Sequence, residues 1–295
     1  MNALNNLTEI NLDDLVSSFG FTEHTLPARL VRHIFHVPAA RFASQMLEFD
    51  SVVATGGLAS GARHTIKDFA RSVQVYGSEN VPPDGPALFL SNHPGMIDTL
   101  ALFAAINRPD LRIIALNRPF LQSLPFTSQQ LLFISDVPSE RISAVKKAAM
   151  HLRSGGAALT FPAGHIEPDP DVYPGAVESL TDWTDSAGVF ARFAPETKIV
   201  PVFVRGVLWE KAVKHPFTRL KKSREEREKM GAALQLLAHI LLKARPLKVK
   251  VQFAKPITLA EIGSKELSVI HASIIDRMSA LVQSAPLSSG ISALR

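Results

Sequence analysis

A histidine and an aspartate stand five positions apart in the segment LFLSNHPGMIDTL, residues 88–100. His93 follows an apolar run typical of a buried strand, and Asp98 begins a second apolar run typical of a helix. The Pro-Gly pair between them predicts a tight turn that can return the carboxylate to the imidazole. A carboxylate on Nδ1–H fixes the histidine tautomer and leaves Nε2 free to take a proton from a hydroxyl group. The segment can therefore supply a general base, although a histidine that only caps the strand fits it equally well.

The same spacing occurs again at His271 and Asp276, within a stretch that has the apolar periodicity of one continuous helix. Residues five positions apart in an α-helix lie about 140° apart around its axis, so these side chains should not meet. The spacing alone is weak evidence for a catalytic pair. The evidence for a catalytic pair at His93 and Asp98 is the predicted strand, turn and helix around them.

The composition limits the chemistry that this chain of 295 residues can perform. It contains no cysteine, which excludes disulfides, thiolate zinc sites and a cysteine nucleophile. Its net charge of +5 favours an anionic partner. The first residues lack a signal-peptide pattern, and every apolar run falls short of the roughly 20 residues that a membrane-spanning helix needs. We therefore expect a cytoplasmic protein with only peripheral membrane contact.

The pattern of apolar runs predicts the secondary structure around His93 and Asp98. From about residue 72, short apolar runs alternate with helical stretches, including a clear helix at about 139–153. This alternation predicts an α/β fold with a mixed, largely parallel sheet flanked by helices. The run LKVKVQFAKPI alternates like an edge strand, and the tail after the last helix is predicted to be mobile. The predicted divisions are an N-terminal helical segment (1–68) with breaks at Pro27, Pro38 and the glycines of ATGGLASGA, an α/β domain (69–262), and a C-terminal helix and tail (263–295).

Four sequence blocks follow one another along the chain: NHPGMID (92–98), LLFIS (131–135), LTFPAGHIEP (159–168) and KIVPVFVRG (198–206). Their order and spacing resemble the glycerolipid acyltransferases, a family that includes the 1-acylglycerol-3-phosphate acyltransferases. The resemblance covers roughly residues 72–210. It implies a glycerol-3-phosphate acyltransferase-like fold and a role in membrane lipid synthesis.

The resemblance also implies a mechanism, with His93 as general base and Asp98 as its orienting partner. The acceptor hydroxyl would attack the thioester of acyl-CoA or of acyl carrier protein directly. No acyl-enzyme would form, in agreement with the absence of cysteine and of a G-x-S-x-G motif. No cofactor is expected beside the thioester co-substrate, and the enzyme would lie at the cytoplasmic face of the membrane. The expected substrate-binding residues are Arg118, Phe161, Pro162, Gly164, His165 and Pro201.

The third block departs from the family's usual Phe-Pro-Glu-Gly-Thr-Arg. Ala163, His165 and Ile166 replace the glutamate, threonine and arginine, and Asp136 is closest to the arginine that usually ends the second block. Both positions that the family associates with the acceptor phosphate therefore lack a cation. A glycerol-phosphate-type acceptor, a lipid acceptor without phosphate such as a lyso-aminolipid, a hydrolase and a non-catalytic lipid-binding homologue all stay open. The other cations that could meet a phosphate are Arg118, Arg141 and Arg205.

The segment GHIEPDPDVYPG offers a histidine and several acids as metal ligands. Its prolines keep the chain extended, whereas a hard cation needs converging ligands. The candidate ligands would be His165, Glu167, Asp169 and Asp171. We predict no metal site formed by them.

Two stretches suit contact with anionic lipid headgroups. One is the basic stretch 211–229, in which apolar residues are interspersed, and the other is a helix within 26–47. A solvated helix fits the first stretch as well, and a helix packed on the domain fits the second. Nucleic acid is not expected as a partner, because no nucleic-acid-binding motif is present. The apolar residues concerned are Phe217 and Leu220 in the first stretch with Trp209 just before it, and Leu26, Leu30, Ile34 and Phe35 in the second.

Overall fold

A computed structural model describes residues 2–18, 20–22, 25–134, 138–284 and 290–294. In this part of the chain, the strands form one eight-stranded sheet. They are β1 (Ala70–Tyr76), β2 (Ala87–Ser91), β3 (Leu111–Leu116), β4 (Leu131–Ile134), β5 (Ala157–Thr160), β6 (Lys198–Arg205), β7 (Leu247–Phe253) and β8 (Ile291–Ser292).

The sheet is mixed and mostly parallel, as predicted. Its strand order is β4-β3-β5-β2-β6-β7-β1-β8. Every neighbouring pair from β4 to β6 is parallel, as is β1 with β7, whereas β6 with β7 and β1 with β8 are antiparallel. Because β2, β3, β5 and β6 run in one direction, the residues that follow them lie at one edge of the sheet, where ligands bind in such folds.

Helices cover both faces of the sheet. They are α1 (Ala3–Ser18), α2 (Leu26–Phe69), α3 (Met96–Ile106), α4 (Pro119–Gln122), α5 (Pro125–Ser128), α6 (Pro138–Arg153), α7 (Ser186–Phe193), α8 (Glu210–Val213), α9 (Arg224–Leu242), α10 (Leu259–Ile262) and α11 (Leu267–Gln283). Short 3₁₀ turns cover Ser78–Asn80, Glu178–Asp182 and Pro216–Leu220. The predicted N-terminal helices and the helix at about 139–153 are confirmed, whereas the three-part division of the chain stays a prediction.

The buried strand β2 separates the two layers of the core. Phe89 packs in the apolar cluster that includes residues of α2 and α3, whereas Leu88 and Leu90 pack with residues of α6, α7 and α11. Successive side chains of a strand point to opposite faces, so a strand covered on both faces is apolar throughout. This explains the uninterrupted apolar run before His93.

The predicted helix break at Pro38 is wrong. Pro38 lies inside α2 and is buried there. A proline within a helix removes one backbone hydrogen bond, but the following turns bury Phe42, Met46 and Phe49 against the domain and hold the helix together. The predicted glycine break is confirmed at Gly57, whose φ of 74° lies in the left-handed region and interrupts the helical geometry.

Two predictions about the last strands are also wrong. The segment predicted as an edge strand is β7, which lies between β6 and β1. Its alternation reflects one face that is less buried, at Lys248 and Lys250, rather than a place at the edge. The tail was expected to be mobile, yet Ile291 and Ser292 pair with β1; residues 285–289 lie outside the described part.

Candidate active site

His93 follows β2, and Asp98 lies in the first turn of α3. The turn folds back as predicted, so that Nδ1 of His93 lies 2.9 Å from Oδ2 of Asp98. The Gly95 N–H donates to the same oxygen at 2.9 Å, and the Thr99 hydroxyl donates to Oδ1 at 3.0 Å. Asp98 is fully buried, whereas 26% of the His93 side chain is exposed. The carboxylate is therefore fixed in the first turn of α3, and Nε2 is the ring nitrogen left for a substrate.

The pKa of His93 reflects opposing influences. Burial lowers this pKa, whereas the charge of Asp98, its hydrogen bond and the charge of Glu167 raise it. The net result is a pKa above the ordinary value of 6.5. The same carboxylates stabilise the imidazolium ion that forms when His93 accepts a proton.

An apolar cavity of about 560 Å³ lies beside His93. This volume falls within the usual range for a small-molecule site. The ring of Phe161 flanks the histidine, with the ring centroids 4.5 Å apart. The cavity suits an apolar chain whose reactive end lies at the imidazole. Its lining includes Phe42, Phe49, Ile97, Phe103, Ile113 and Leu131.

The structure brings four of the predicted site residues to this cavity. They are His93, Arg118, Phe161 and Gly164. Arg118 directly precedes α4, while Phe161 and Gly164 belong to the turn after β5. Gly164 has a φ of 70°, and its N–H donates to the carbonyl of Phe161 at 3.1 Å, so this tight turn needs glycine.

Three other predicted site residues lie outside the lining of this cavity. Pro162 is buried, and its carbonyl accepts from the backbone N–H of Thr184 at 3.2 Å. Pro201 lies within β6, where it pairs with Leu90 of β2. The side chain of His165 is about half exposed and lies 3.3 Å from the carboxylate of Asp182.

His165 borders a second cavity of about 390 Å³. Acidic residues line much of this cavity, and Ile166 lines both cavities. Ile166 stands at the position of the arginine in the family's usual motif, so acids of the second cavity lie near a position where that motif carries a cation. The acids concerned are Glu178, Asp182 and Glu228.

Arg205, another arginine that could meet a phosphate, does not line the cavity beside His93. Arg205 pairs with Asp171, with Nε 2.6 Å from Oδ1. The side chain of Arg141 and the whole of Asp136 lie outside the part of the chain that the structure describes.

Three features of the site were missed from the sequence. The Asn92 amide bonds reciprocally with the backbone of Val204 at 2.8 Å in both directions and fixes the end of β2 against β6. The buried Glu167 carboxylate accepts the backbone N–H of His93 at 2.9 Å. Residues of α2 that line the cavity, such as Phe42 and Phe49, lie outside the four sequence blocks. The polar residue beside the histidine was an available signal for Asn92, whereas the sequence around Glu167 gives no signal of its contact with His93.

The acids considered as metal ligands accept hydrogen bonds from separate groups of donors. Asp169 is fully buried and accepts the backbone N–H groups of Gly206, Val207 and Leu208 at 2.7 to 3.0 Å. Burial raises the pKa of this carboxyl group, while these bonds oppose the rise. Asp169 therefore fixes the loop after β6. Within the described ranges, no cluster of three histidine or acidic residues is arranged to hold a metal ion.

Residues 72–205 match the sequence profile of the acyltransferase family. The match covers a little less than half of the chain. The candidate pair and the turn after β5 both lie within the matched residues, so the match supports the acyltransferase resemblance predicted from the sequence.

The chain is also similar to a solved structure described as the 1-acyl-sn-glycerophosphate (LPA) acyltransferase PlsC from Thermotoga maritima. The two are 17% identical, the similarity covers 83% of each chain, and the TM-score is 0.44. No curated protein matches the chain at a significant level. Among the described helices, none is both long and apolar enough to cross a membrane.

Proposed function

We propose that the protein transfers a fatty acyl group from acyl-CoA or acyl carrier protein to a hydroxyl group of a lysolipid or glycerol-phosphate-type acceptor in membrane lipid synthesis. One observation carries the proposal: His93 is bonded through Nδ1 to the buried Asp98 and borders a large apolar cavity. An oriented base at an apolar site suits a reaction between a hydroxyl group and a long-chain acyl thioester.

His93 is the general base of this reaction. Nε2 takes the proton of the acceptor hydroxyl as the oxygen attacks the thioester carbonyl, and the new C–O bond forms in a tetrahedral intermediate. The C–S bond then breaks, and the imidazolium returns the proton to the leaving thiolate. Asp98 keeps the ring in the required tautomer and stabilises its charged form. The reaction needs no cofactor beyond the thioester donor.

The acyl chain occupies the apolar cavity. Aromatic and aliphatic side chains from α2, α3, β3 and β4 line it, and burying a methylene group contributes about 0.8 kcal/mol. Phe161 and Gly164 lie where the chain meets the base, which supports their assignment to the substrate site. Arg118 is the residue of this lining that can meet an anionic group of the donor or acceptor.

The N-terminal part of α2 supports peripheral attachment to the cytoplasmic face of a membrane. Leu26, Leu30, Ile34 and Val37 are 78%, 60%, 56% and 55% exposed. Their spacing of four, four and three residues places them on one helical face, as in helices that lie in the membrane interface. The basic stretch 211–229 contributes a second exposed apolar pair, Phe217 and Leu220.

The acidic cavity favours a second candidate acceptor within the same chemistry. A lyso-aminolipid carries a cationic amine, and a cation suits a space lined by Glu178, Asp182 and Glu228 better than a phosphate does. Under this alternative, His165 also belongs to the acceptor side.

One experiment tests these proposals together. Purified protein is mixed with long-chain acyl-CoA or acyl-carrier-protein thioester and anionic vesicles that contain a glycerol-phosphate-type lysolipid, a lyso-aminolipid or neither. Thiol release, the lipid product and co-sedimentation with the vesicles are measured. We expect thiol release coupled to one acylated lipid, with the protein bound to the vesicles.

Each other outcome contradicts a defined part of the proposal. Thiol release without a new lipid would indicate a hydrolase. No release with either donor would indicate a lipid-binding protein without turnover. Full activity without vesicle binding would contradict the peripheral membrane attachment.

A further inference from the structure

A second buried carboxylate contacts the residue that we propose as the base. Glu167 is 1% exposed and lies in the loop after β5. Its Oε2 accepts the backbone N–H of His93 at 2.9 Å. Its own backbone N–H donates to the carbonyl of His93, also at 2.9 Å. Glu167 therefore binds both polar groups of the His93 backbone.

The other oxygen of the Glu167 carboxylate is held by two side chains. The indole N–H of Trp183 donates to Oε1 at 2.9 Å, and the hydroxyl of Ser179 donates to it at 3.2 Å. With the N–H of His93, the carboxylate accepts three hydrogen bonds. Burial raises the pKa of Glu167, while these bonds and the charge of His93 oppose the rise. The net result is a pKa of Glu167 above its ordinary value of 4.5, and the three donors favour the charged form against the effect of burial.

We propose that Glu167 is a positioning residue for the general base: it holds the backbone of His93 while Asp98 holds the ring. The inference rests on the proposed function, because it assigns a role at the same site. Its loop also carries Phe161 and Gly164, so Glu167 links the base to the turn that borders the acyl cavity.

The charge of Glu167 gives this role a measurable signature. The ionisable groups at His93 are Asp98, which contacts the ring, and Glu167, whose charge also raises the pKa of His93; Arg118 lines the same cavity. Glu167→Gln keeps the shape and removes the charge. The pKa of His93 should fall, and the acid limb of the kcat/KM profile should move to lower pH. On the plateau, kcat should fall on the order of 10-fold, with KM little changed.

Asp169→Asn is the matched control. Asp169 is an equally buried acid two residues further along, and it bonds to the loop after β6 rather than to His93. The Tm of this variant should be lower than that of the unmodified protein, but the acid limb of its kcat/KM profile should lie at the same pH. A purely structural role for Glu167 would make the two variants behave alike.

The test is an NMR titration of histidine-labelled protein, with the His93 signal assigned by its loss in His93→Ala, beside the pH profile of activity. We expect a lower His93 pKa in Glu167→Gln than in the unmodified protein and in Asp169→Asn. An unchanged His93 pKa in Glu167→Gln, or an equal fall in Asp169→Asn, would overturn the inference. If Glu167→Gln does not fold, Ser179→Ala replaces it, with a smaller shift in the same direction expected and no shift overturning the inference.

Failure of the proposed function is a different result. If the unmodified protein releases no thiol from either donor, the proposed acyl transfer is wrong. The NMR titration still measures the effect of Glu167 on His93 in that case, because it needs no turnover.

Discussion

The chain contains two histidine–aspartate pairs with identical spacing, but one pair lies across a turn and the other lies within a single helix. His93 and Asp98 lie on either side of the turn between β2 and α3, with Nδ1 and Oδ2 2.9 Å apart. His271 and Asp276 both lie inside α11, where five residues place them about 140° apart around the helix axis. The direction of the backbone, rather than the spacing, decides whether a histidine and an acid can form a catalytic pair.

Burial separates the two pairs further. Asp98 is fully buried, with donors at both oxygens, whereas Asp276 is exposed on its helix. A carboxylate shielded from water acts more strongly on a neighbouring imidazole than one in solvent. The second pair therefore provides matched controls at which the same substitutions should change little.

The largest effect is expected for His93→Ala. Removal of the general base should lower kcat/KM for acyl transfer up to about 10⁴-fold, with little change in the melting curve. His271→Ala should retain the activity of the unmodified protein. Rates of thiol release and lipid formation under identical conditions measure the difference. Equal activity of the two variants would contradict a catalytic role that is specific to His93.

Asp98→Asn should have the next largest effect. Loss of tautomer control should lower kcat on the order of 10³-fold. In the unmodified protein, His93 must be neutral to act, so kcat/KM should rise with pH through a midpoint above 6.5. Because Asp98 raises the pKa of His93, the residual activity of Asp98→Asn should show a lower midpoint. Asp276→Asn should move neither rate nor midpoint, and a shift there would contradict the account.

The smallest effect on activity is expected from a substitution in the apolar cavity that His93 borders. Ala115 of β3 lines it, and Ala115→Leu should lower kcat/KM for long-chain donors about 10-fold relative to short-chain donors, because the added side chain takes space from the acyl chain. Ala272→Leu, beside His271 on the exposed face of α11, is the control. An unchanged chain-length preference in Ala115→Leu would place the acyl chain elsewhere.

Local sequence patterns predicted the parts of the site that depend on local geometry. The apolar run before His93 and the Pro-Gly turn after it were enough to place the base at a strand end beside Asp98. The helix over 139–153 and the parallel core of the sheet also followed from periodicity. In each case, residues that are close in sequence determine the structure.

Contacts between distant segments could not be predicted in this way. Glu167 meets His93 across 74 positions of sequence, and nothing in its immediate sequence reports that contact. The position of β7 inside the sheet depends on two partner strands, so its alternating pattern was misinterpreted. Pro38 continues a helix because tertiary packing outweighs the local cost of a proline.

The role of His93 as general base can be tested by measuring acyl transfer by His93→Ala with and without added imidazole, beside His271→Ala. We expect His93→Ala to be inactive alone and to gain activity as imidazole replaces the missing base, while His271→Ala is fully active and does not respond to imidazole. Transfer by His93→Ala at the rate of the unmodified protein, without imidazole, would contradict His93 as the general base.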